Sequence, residues 1–184
     1  MFTEVELKYQ VGDFVKVRDK LVTAGAELVS EPSQEKNAVL DLPDRMLENS
    51  NVLLRLREFR NEVILTVKKP GSSGPMKIRK EYETVLSTSF RGAMELFTAL
   101  GYRQVFHYSK TREIWSLGEN THICLDTLFF GKYVEVEADS ISRVSSTSKL
   151  LGFDPGKGLS SSYRKLQLMY APDTPENSRE MFNS

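Results

Sequence analysis

The chain has 184 residues, 25 Lys plus Arg against 25 Asp plus Glu, and 40% hydrophobic residues. One domain with its own core is the expectation for that length, and zero net charge argues against a dedicated nucleic-acid binder, whose footprint is a basic excess. The single cysteine, Cys124, cannot form an internal disulfide, no apolar run approaches the roughly 20 residues that span a bilayer, and no zinc-finger spacing is present. Together with the charged stretch that follows Met1, these features predict a cytoplasmic protein without structural zinc.

Period-two alternation starts at once. In Thr3–Tyr9, Glu4, Glu6 and Lys8 alternate with Val5, Leu7 and Tyr9, as in a strand with two unlike faces. Phe14, Val17, Leu21 and Val22 then recur at helical spacing, with Asp13 as a start signal and Gly25 as a stop, which predicts a first helix over Asp13–Ala26. Ser30–Lys36 reads as a loop, Ala38–Leu42 as extended, and Pro43-Asp44 as a turn. Val52–Glu58 and Glu62–Lys68 read as a hairpin around Arg60-Asn61. Pro70–Pro75 is a flexible loop and Met76–Val85 resumes strand alternation. Phe90, Ala93, Met94, Phe97 and Leu100 define a second helix over Ser89–Leu100, closed by Gly101. Strands follow at Gln104–Ser116, His122–Asp126 and Lys132–Asp139, then a weaker helix at Ile141–Leu151 and a short element at Tyr163–Met169. Residues 1–170 form the expected domain, and the polar, proline-containing stretch 171–184 is expected to be a flexible tail.

One charged strand face is ordinary, because a half-buried strand turns one face to water. Here nearly every strand carries ionic residues two apart: Glu4/Glu6/Lys8, Arg55/Arg57, Arg79/Glu81/Glu83, Lys110/Arg112 and Glu135/Glu137. The opposite faces, such as Val5/Leu7, Leu54/Leu56 and Val134/Val136, need cover from the amphipathic helices. A closed antiparallel barrel meets both demands, with helices on its apolar outside and the charges lining a tunnel; an open sheet with its charged face in solvent is the competing arrangement. In the tunnel reading Lys8, Arg55, Arg57, Lys68, Arg79, Lys110, Arg112 and Lys165 face Glu4, Glu6, Glu81, Glu83, Asp126, Glu135 and Glu137. A small polyanion with a divalent metal satisfies both sets: guanidinium and ammonium groups hold phosphate oxygens, and clustered carboxylates are hard ligands suited to Mg2+ or Mn2+.

Glu4-Val5-Glu6-Leu7-Lys8 gives the motif Glu-x-Glu-x-Lys, and with it the chain resembles the CYTH, or triphosphate tunnel metalloenzyme, superfamily. Asp41-Leu42-Pro43-Asp44, Leu54-Arg55-Leu56-Arg57, Leu65-Thr66-Val67-Lys68, Arg79-Lys80-Glu81-Tyr82-Glu83, Lys110-Thr111-Arg112, Leu125-Asp126, Gly131 to Glu137 and Ser162-Tyr163-Arg164-Lys165-Leu166 follow in the family's order. The resemblance implies an α+β fold, an eight-stranded antiparallel tunnel with a charged interior and helices outside, acting on a triphosphate-bearing small molecule with Mg2+ or Mn2+. It assigns Glu4, Glu6, Asp126, Glu135 and Glu137 to metal, and Lys8, Arg55, Arg57, Lys68, Arg79, Lys110, Arg112 and Lys165 to phosphate. Glu81 and Glu83 bind a second metal directly, act on it through water, or only orient neighbouring cations. Lys8 and Glu6 are the residues expected to matter most for turnover, Lys8 as a phosphate contact or as the group that orients or deprotonates water.

Hydrolysis of inorganic triphosphate or of a small organic triphosphate is the first expectation. Class IV adenylyl cyclases share the tunnel motifs but carry a His-Phe element several residues before Glu-x-Glu-x-Lys, where this chain has Met1, Phe2 and Thr3; conversion of ATP to cyclic AMP and pyrophosphate is the alternative. A noncatalytic polyphosphate or nucleotide sensor is the second alternative. Trp115 is a candidate to stack on a thiamine ring or, more commonly, to pack. His107 and His122 show no nucleophile–base constellation, and Cys124 between Ile123 and Leu125 reads as a buried thiol. A nucleic-acid polymer and a membrane are not expected partners, and the outward apolar residues leave monomer and homodimer both open.

Overall fold

A computed structural model describes residues 2–72 and 76–172. Eight strands form a closed antiparallel barrel in the order β1-β5-β4-β3-β2-β6-β7-β8. They are β1 (Phe2–Val11), β2 (Glu27–Asp41), β3 (Leu53–Phe59), β4 (Glu62–Pro70), β5 (Lys77–Leu86), β6 (Arg103–Ser116), β7 (Thr121–Leu128) and β8 (Gly131–Ala138). Five α-helices lie outside: α1 (Val15–Thr23), α2 (Met46–Asn49), α3 (Phe90–Ala99), α4 (Ile141–Leu150) and α5 (Tyr163–Tyr170). The closed barrel, and not the open sheet, is the arrangement found, and the α+β class is the one expected. Among the described residues no helix is long and apolar enough to cross a membrane.

Apolar side chains form three clusters, two on the outward faces of the barrel and a third inside it at the end closed by α5. Val5, Leu7, Ile123, Leu125, Val134 and Val136 meet Val17 and Leu21 of α1 and Val144 of α4. Ala38, Leu40, Leu54, Leu56 and Val63 meet Ala93, Phe90 and Phe97 of α3. Phe106, Tyr108, Leu128 and Tyr133 meet Tyr163 and Leu166 of α5. Trp115 belongs to the first cluster, and its indole N–H donates to Glu113 at 2.7 Å, so it packs on the outside of the barrel. The β3–β4 turn places Arg60 and Asn61 at φ of 51° and 65°, the two left-handed central residues that suit the twist of a tight hairpin.

The chain departs from the sequence reading at residues 30–36. These are part of the 15-residue strand β2, which pairs with β6 through register shifts between Leu28, Ser30 and Ser33. Pro32 and the polar run around it look like a loop, but the shifts absorb the proline and the tertiary ladder holds the segment extended. Helix α2 was also outside the expected elements. Asp41 builds its start, its carboxylate accepting from the backbone N–H groups of Leu42, Leu47 and Glu48 at 2.7, 3.0 and 2.9 Å. The part of the expected flexible loop at 73–75 and the expected tail from 173 onward lie outside the described residues.

Leu21 is fully buried between α1 and the barrel wall, away from the tunnel lining. Leu21→Ala is expected to cost about 3 kcal/mol of stability through lost burial and the cavity left behind, read as a lowered urea midpoint at unchanged m-value.

Candidate functional site: a charged tunnel

The inward faces enclose a cavity of about 860 Å³, lined from Phe2, Asn120 and Asp139 at one end to Leu53, Phe106 and Arg164 at the other. Strand register brings the charges together across it. Glu6 stands opposite Glu137 and Lys8 opposite Glu135 on the β1–β8 ladder, and Glu6 faces Lys77 at the last pair of the β1–β5 ladder. Beyond that pair β1 exchanges backbone hydrogen bonds between Lys8 and Leu159. This ties the segment leading into α5 to the same strand.

Glu4, Glu6 and Glu137 each offer a carboxylate oxygen within 4.8 Å of the others. Lys68 donates to both oxygens of Glu4 at 2.6 Å and approaches Glu81 at 3.2 Å. Lys8 lies 2.6 Å from Glu6 and 2.9 Å from Glu135, and the Lys77 ammonium sits on the same oxygen of Glu6. Burial opposes ionisation of Glu6, but Lys77 and Lys8 overcome it and hold its pKa at about 2. Burial likewise opposes the charge on Lys8, and Glu135 with Glu6 more than offsets it, so Lys8 stays protonated. At Lys77 the balance reverses. Burial, with Lys8 and Lys68 close by, pushes it below the ordinary lysine value despite Glu6.

The neighbouring carboxyls on β8 are driven apart. Burial works against Glu135, yet Lys8, Arg112 and Lys110 hold it well below the usual carboxylate range, whereas burial and the charges of Glu135 and Glu4 push Glu137 well above it. The ion pair of Glu137 is with Arg112, at 3.9 Å. A half-buried carboxyl so weakly compensated, next to two more hard oxygen donors, is what a divalent cation would neutralise, and the trio fits such an ion. The other two residues assigned to metal are differently placed. Asp126 accepts from Lys110 at 3.0 Å, from Arg112 at 2.7 and 2.6 Å, and from the Tyr163 hydroxyl at 2.7 Å. Glu135 is engaged by Lys8 and Arg112, each at 2.9 Å.

Of the residues assigned to phosphate, Arg55 and Arg79 have no carboxylate within ion-pair distance among the described residues; Arg55 reaches Thr66 at 3.3 Å and leaves its Nε without a hydrogen-bond partner, and Arg79 donates to the Asn51 carbonyl at 2.6 Å. Arg57 pairs with Glu83 at 2.8 Å. Glu81 sits beside Lys68; burial raises it, Lys68 opposes, and the charges of Glu4 and Glu83 help bring its pKa to about 7. Lys165 is exposed on α5 and does not line the tunnel, whereas its neighbour Arg164 does.

Three participants were missed in the sequence. Glu35 is completely buried, with Lys110 at 3.4 Å, Arg57 at 3.7 Å and Arg112 at 3.9 Å. Reading residues 30–36 as a loop concealed it. Lys77 has the parity of Arg79, Glu81 and Glu83, a signal that was available. Tyr163 places its ring under Lys8 and Lys110, with the ammonium nitrogens 5.1 and 4.8 Å from its centroid; nothing in a short helical pattern marks such a contact.

The chain is similar to known proteins. The CYTH domain family matches residues 3–151, and the chain belongs to that family of triphosphate tunnel proteins, which act on triphosphate-bearing small molecules and depend in general on divalent metal. An adenylate cyclase CyaB from Aeromonas hydrophila is 29% identical over 127 residues, 68% of this chain and 62% of that protein, so the match spans less than two thirds of the relative's length. A proposed adenylate cyclase from Vibrio parahaemolyticus is 24% identical with a TM-score of 0.79, covering 90% of this chain and 97% of that one. A proposed adenylyl cyclase from Hippeastrum, described as having a dominant triphosphatase activity, is 13% identical with a TM-score of 0.58, covering 93% and 97%. The two solved structures establish likeness of fold.

Glu35 supplies a test of the buried network. Burial raises the cost of its charge, but Lys110, Arg112 and Arg57 hold its carboxyl far below the ordinary value of 4.5. A carboxyl depressed in the folded state stabilises above its unfolded pKa, and that stability is lost as pH falls from 4.5 downward. Glu35→Gln is expected to lose about 3 kcal/mol at pH 7, by leaving buried cations uncompensated. It should also show a shallower fall of the urea midpoint below pH 4.5 than the parent.

Proposed function

We propose that this chain is a divalent-metal-dependent hydrolase of a triphosphate, taking inorganic triphosphate or a small organic triphosphate into the tunnel. The observation that carries the reading is the carboxylate trio Glu4, Glu6 and Glu137 inside the same cavity as Arg55, Arg57, Arg79 and Lys68. A receptor for polyanions alone gains nothing from carboxylates facing its ligand; a metal that bridges both charge sets gives them a common purpose.

The metal, held by Glu4, Glu6 and Glu137, would polarise a phosphoryl oxygen and lower the pKa of a bound water. Arg55 and Arg79, free of carboxylate partners among the described residues, are available to grip phosphate oxygens and fix the chain of phosphates along the barrel. Lys8 is held protonated by Glu135 and Glu6, which favours a role as fixed positive charge on the transferring group over a role as base. Asp126 fastens Arg112, Lys110 and Tyr163 together, so that these groups meet substrate already oriented and little reorganisation is left to the reaction.

One observation favours an organic triphosphate, and with it the cyclase reaction as a second reading. The wall of the tunnel near α5 includes Val39, Leu40, Val52, Leu53, Val105 and Phe106, apolar area that an inorganic chain of phosphates does not use. The relative named adenylate cyclase supports the same reading.

The test is turnover of inorganic triphosphate, ATP and thiamine triphosphate by the parent and Glu6→Gln, with Mg2+ or Mn2+ and all products resolved. Metal-dependent release of orthophosphate by the parent is expected, reduced about a hundredfold or more in Glu6→Gln. Cyclic AMP with pyrophosphate would establish the second reading instead. Binding of triphosphate without any turnover would make the protein a receptor.

A further inference from the structure

Three ammonium groups converge on two of the three trio carboxylates. Glu4 is occupied on both oxygens by Lys68, and one oxygen of Glu6 carries Lys8 and Lys77 together. The three lysines are not equally fixed. The side chains of Lys8 and Lys68 are 2% and 9% exposed, and each has a second carboxylate, Glu135 and Glu81 respectively; the Lys77 side chain is 20% exposed and, among the described residues, pairs with Glu6 alone. Lys77 is also the first residue of β5 and closes the β1–β5 ladder, directly after the buried Met76. It lines the tunnel with Arg79 and Glu81, which follow at the same parity.

Two positive charges on one carboxylate oxygen repel each other, and a divalent cation on Glu6 would add a third. The ammonium with the fewest partners and the most room is the one that leaves. A lysine suits this displacement, being a point charge on a four-carbon stem with freely rotating donors. In leaving Glu6 it stays in a cavity whose other occupant, on the reading above, is a chain of phosphates.

We propose that Lys77 is an internal counter-ion for the metal carboxylates, displaced from Glu6 by the divalent cation and then recruited as a contact to phosphate. The proposal rests on the assignment of Glu6 to metal. Its consequence is linkage: Lys77 weakens the binding of metal alone and, once displaced, strengthens the binding of triphosphate. Metal and substrate therefore favour each other's binding through this one side chain.

The experiment titrates Mn2+ alone into the full chain by calorimetry, and inorganic triphosphate into the Mn2+-loaded chain under conditions of no turnover, for the parent, Lys77→Gln, Lys77→Arg and Glu6→Gln. Lys77→Gln is expected to bind Mn2+ about five- to tenfold more tightly than the parent and triphosphate about tenfold more weakly. Lys77→Arg, which keeps the charge, is expected to hold Mn2+ affinity within about twofold of the parent, showing that the gain comes from removing the cation. Mn2+ affinity unchanged or weakened in Lys77→Gln, while Glu6→Gln loses Mn2+, would overturn the counter-ion role and leave the metal assignment standing. Tighter Mn2+ with unchanged triphosphate affinity would overturn the recruitment to phosphate. Unchanged Mn2+ binding in Glu6→Gln would overturn the underlying assignment itself.

Discussion

The structure depends on one constraint: a barrel whose interior is ionic must neutralise itself before any ligand arrives. Taking a charge out of water costs several kcal/mol even after relaxation, and here Glu4, Glu6, Glu35, Asp126 and Glu135 are buried together with Lys8, Arg55, Lys68, Lys110 and Arg112. Each of these carboxylates is within reach of at least one cation. The apolar clusters outside hold the wall together, but the pairing inside is what makes a closed charged barrel tolerable. It also explains why so much of the interior is positioned twice over, as Asp126 is by Lys110, Arg112 and Tyr163.

Self-neutralisation leaves specific residues over, and these define what the tunnel can receive. Among the described residues Arg55 and Arg79 are cations without carboxylate partners, and Glu137 is a carboxyl with a distant one. An anion answers the first pair and a cation answers Glu137. Neither alone satisfies both, so the leftover charges argue for a metal and a polyanion arriving in the same cavity. The paired residues then act as a support that keeps the unpaired ones aimed inward.

Much of this was legible in the chain because strand parity transmits one-dimensional spacing to a face. Glu4, Glu6 and Lys8, with Arg55 and Arg57, show both the alternation and the need to close the sheet. Legibility failed where parity was broken or where the partner came from a distant segment. The register shifts around Ser30 and Ser33 hid β2 and with it Glu35, which looks like one polar residue in a polar run. Asp126 and Glu135 bear the residue type of a metal ligand, but their pairing with Arg112 depends on the β6–β7–β8 register, which no spacing within one strand encodes. Lys165 and Arg164 are adjacent in sequence, and only the rotation of α5 decides which of them faces the tunnel.

The two ends of the barrel are chemically unlike, and that asymmetry bears on substrate. Near the start of β1 the cavity is lined by Asn120, His122 and Asp139 beside the carboxylates; near α5 it is lined by Val39, Leu53, Val105 and Phe106, with the Arg164 guanidinium 5.6 Å from the Phe106 ring and 2.6 Å from Glu48. A planar organic group gains from an aromatic face and an arginine plane, and a phosphate does not need them. On the proposed reading, cations that would hold the phosphates leave the α5 end as the place where an organic substituent would be accommodated. Inorganic triphosphate would fill the ionic part of the tunnel and leave that wall without contact, so on the proposed reading discrimination among triphosphates would fall to the apolar end and the reaction to the charges around Glu6.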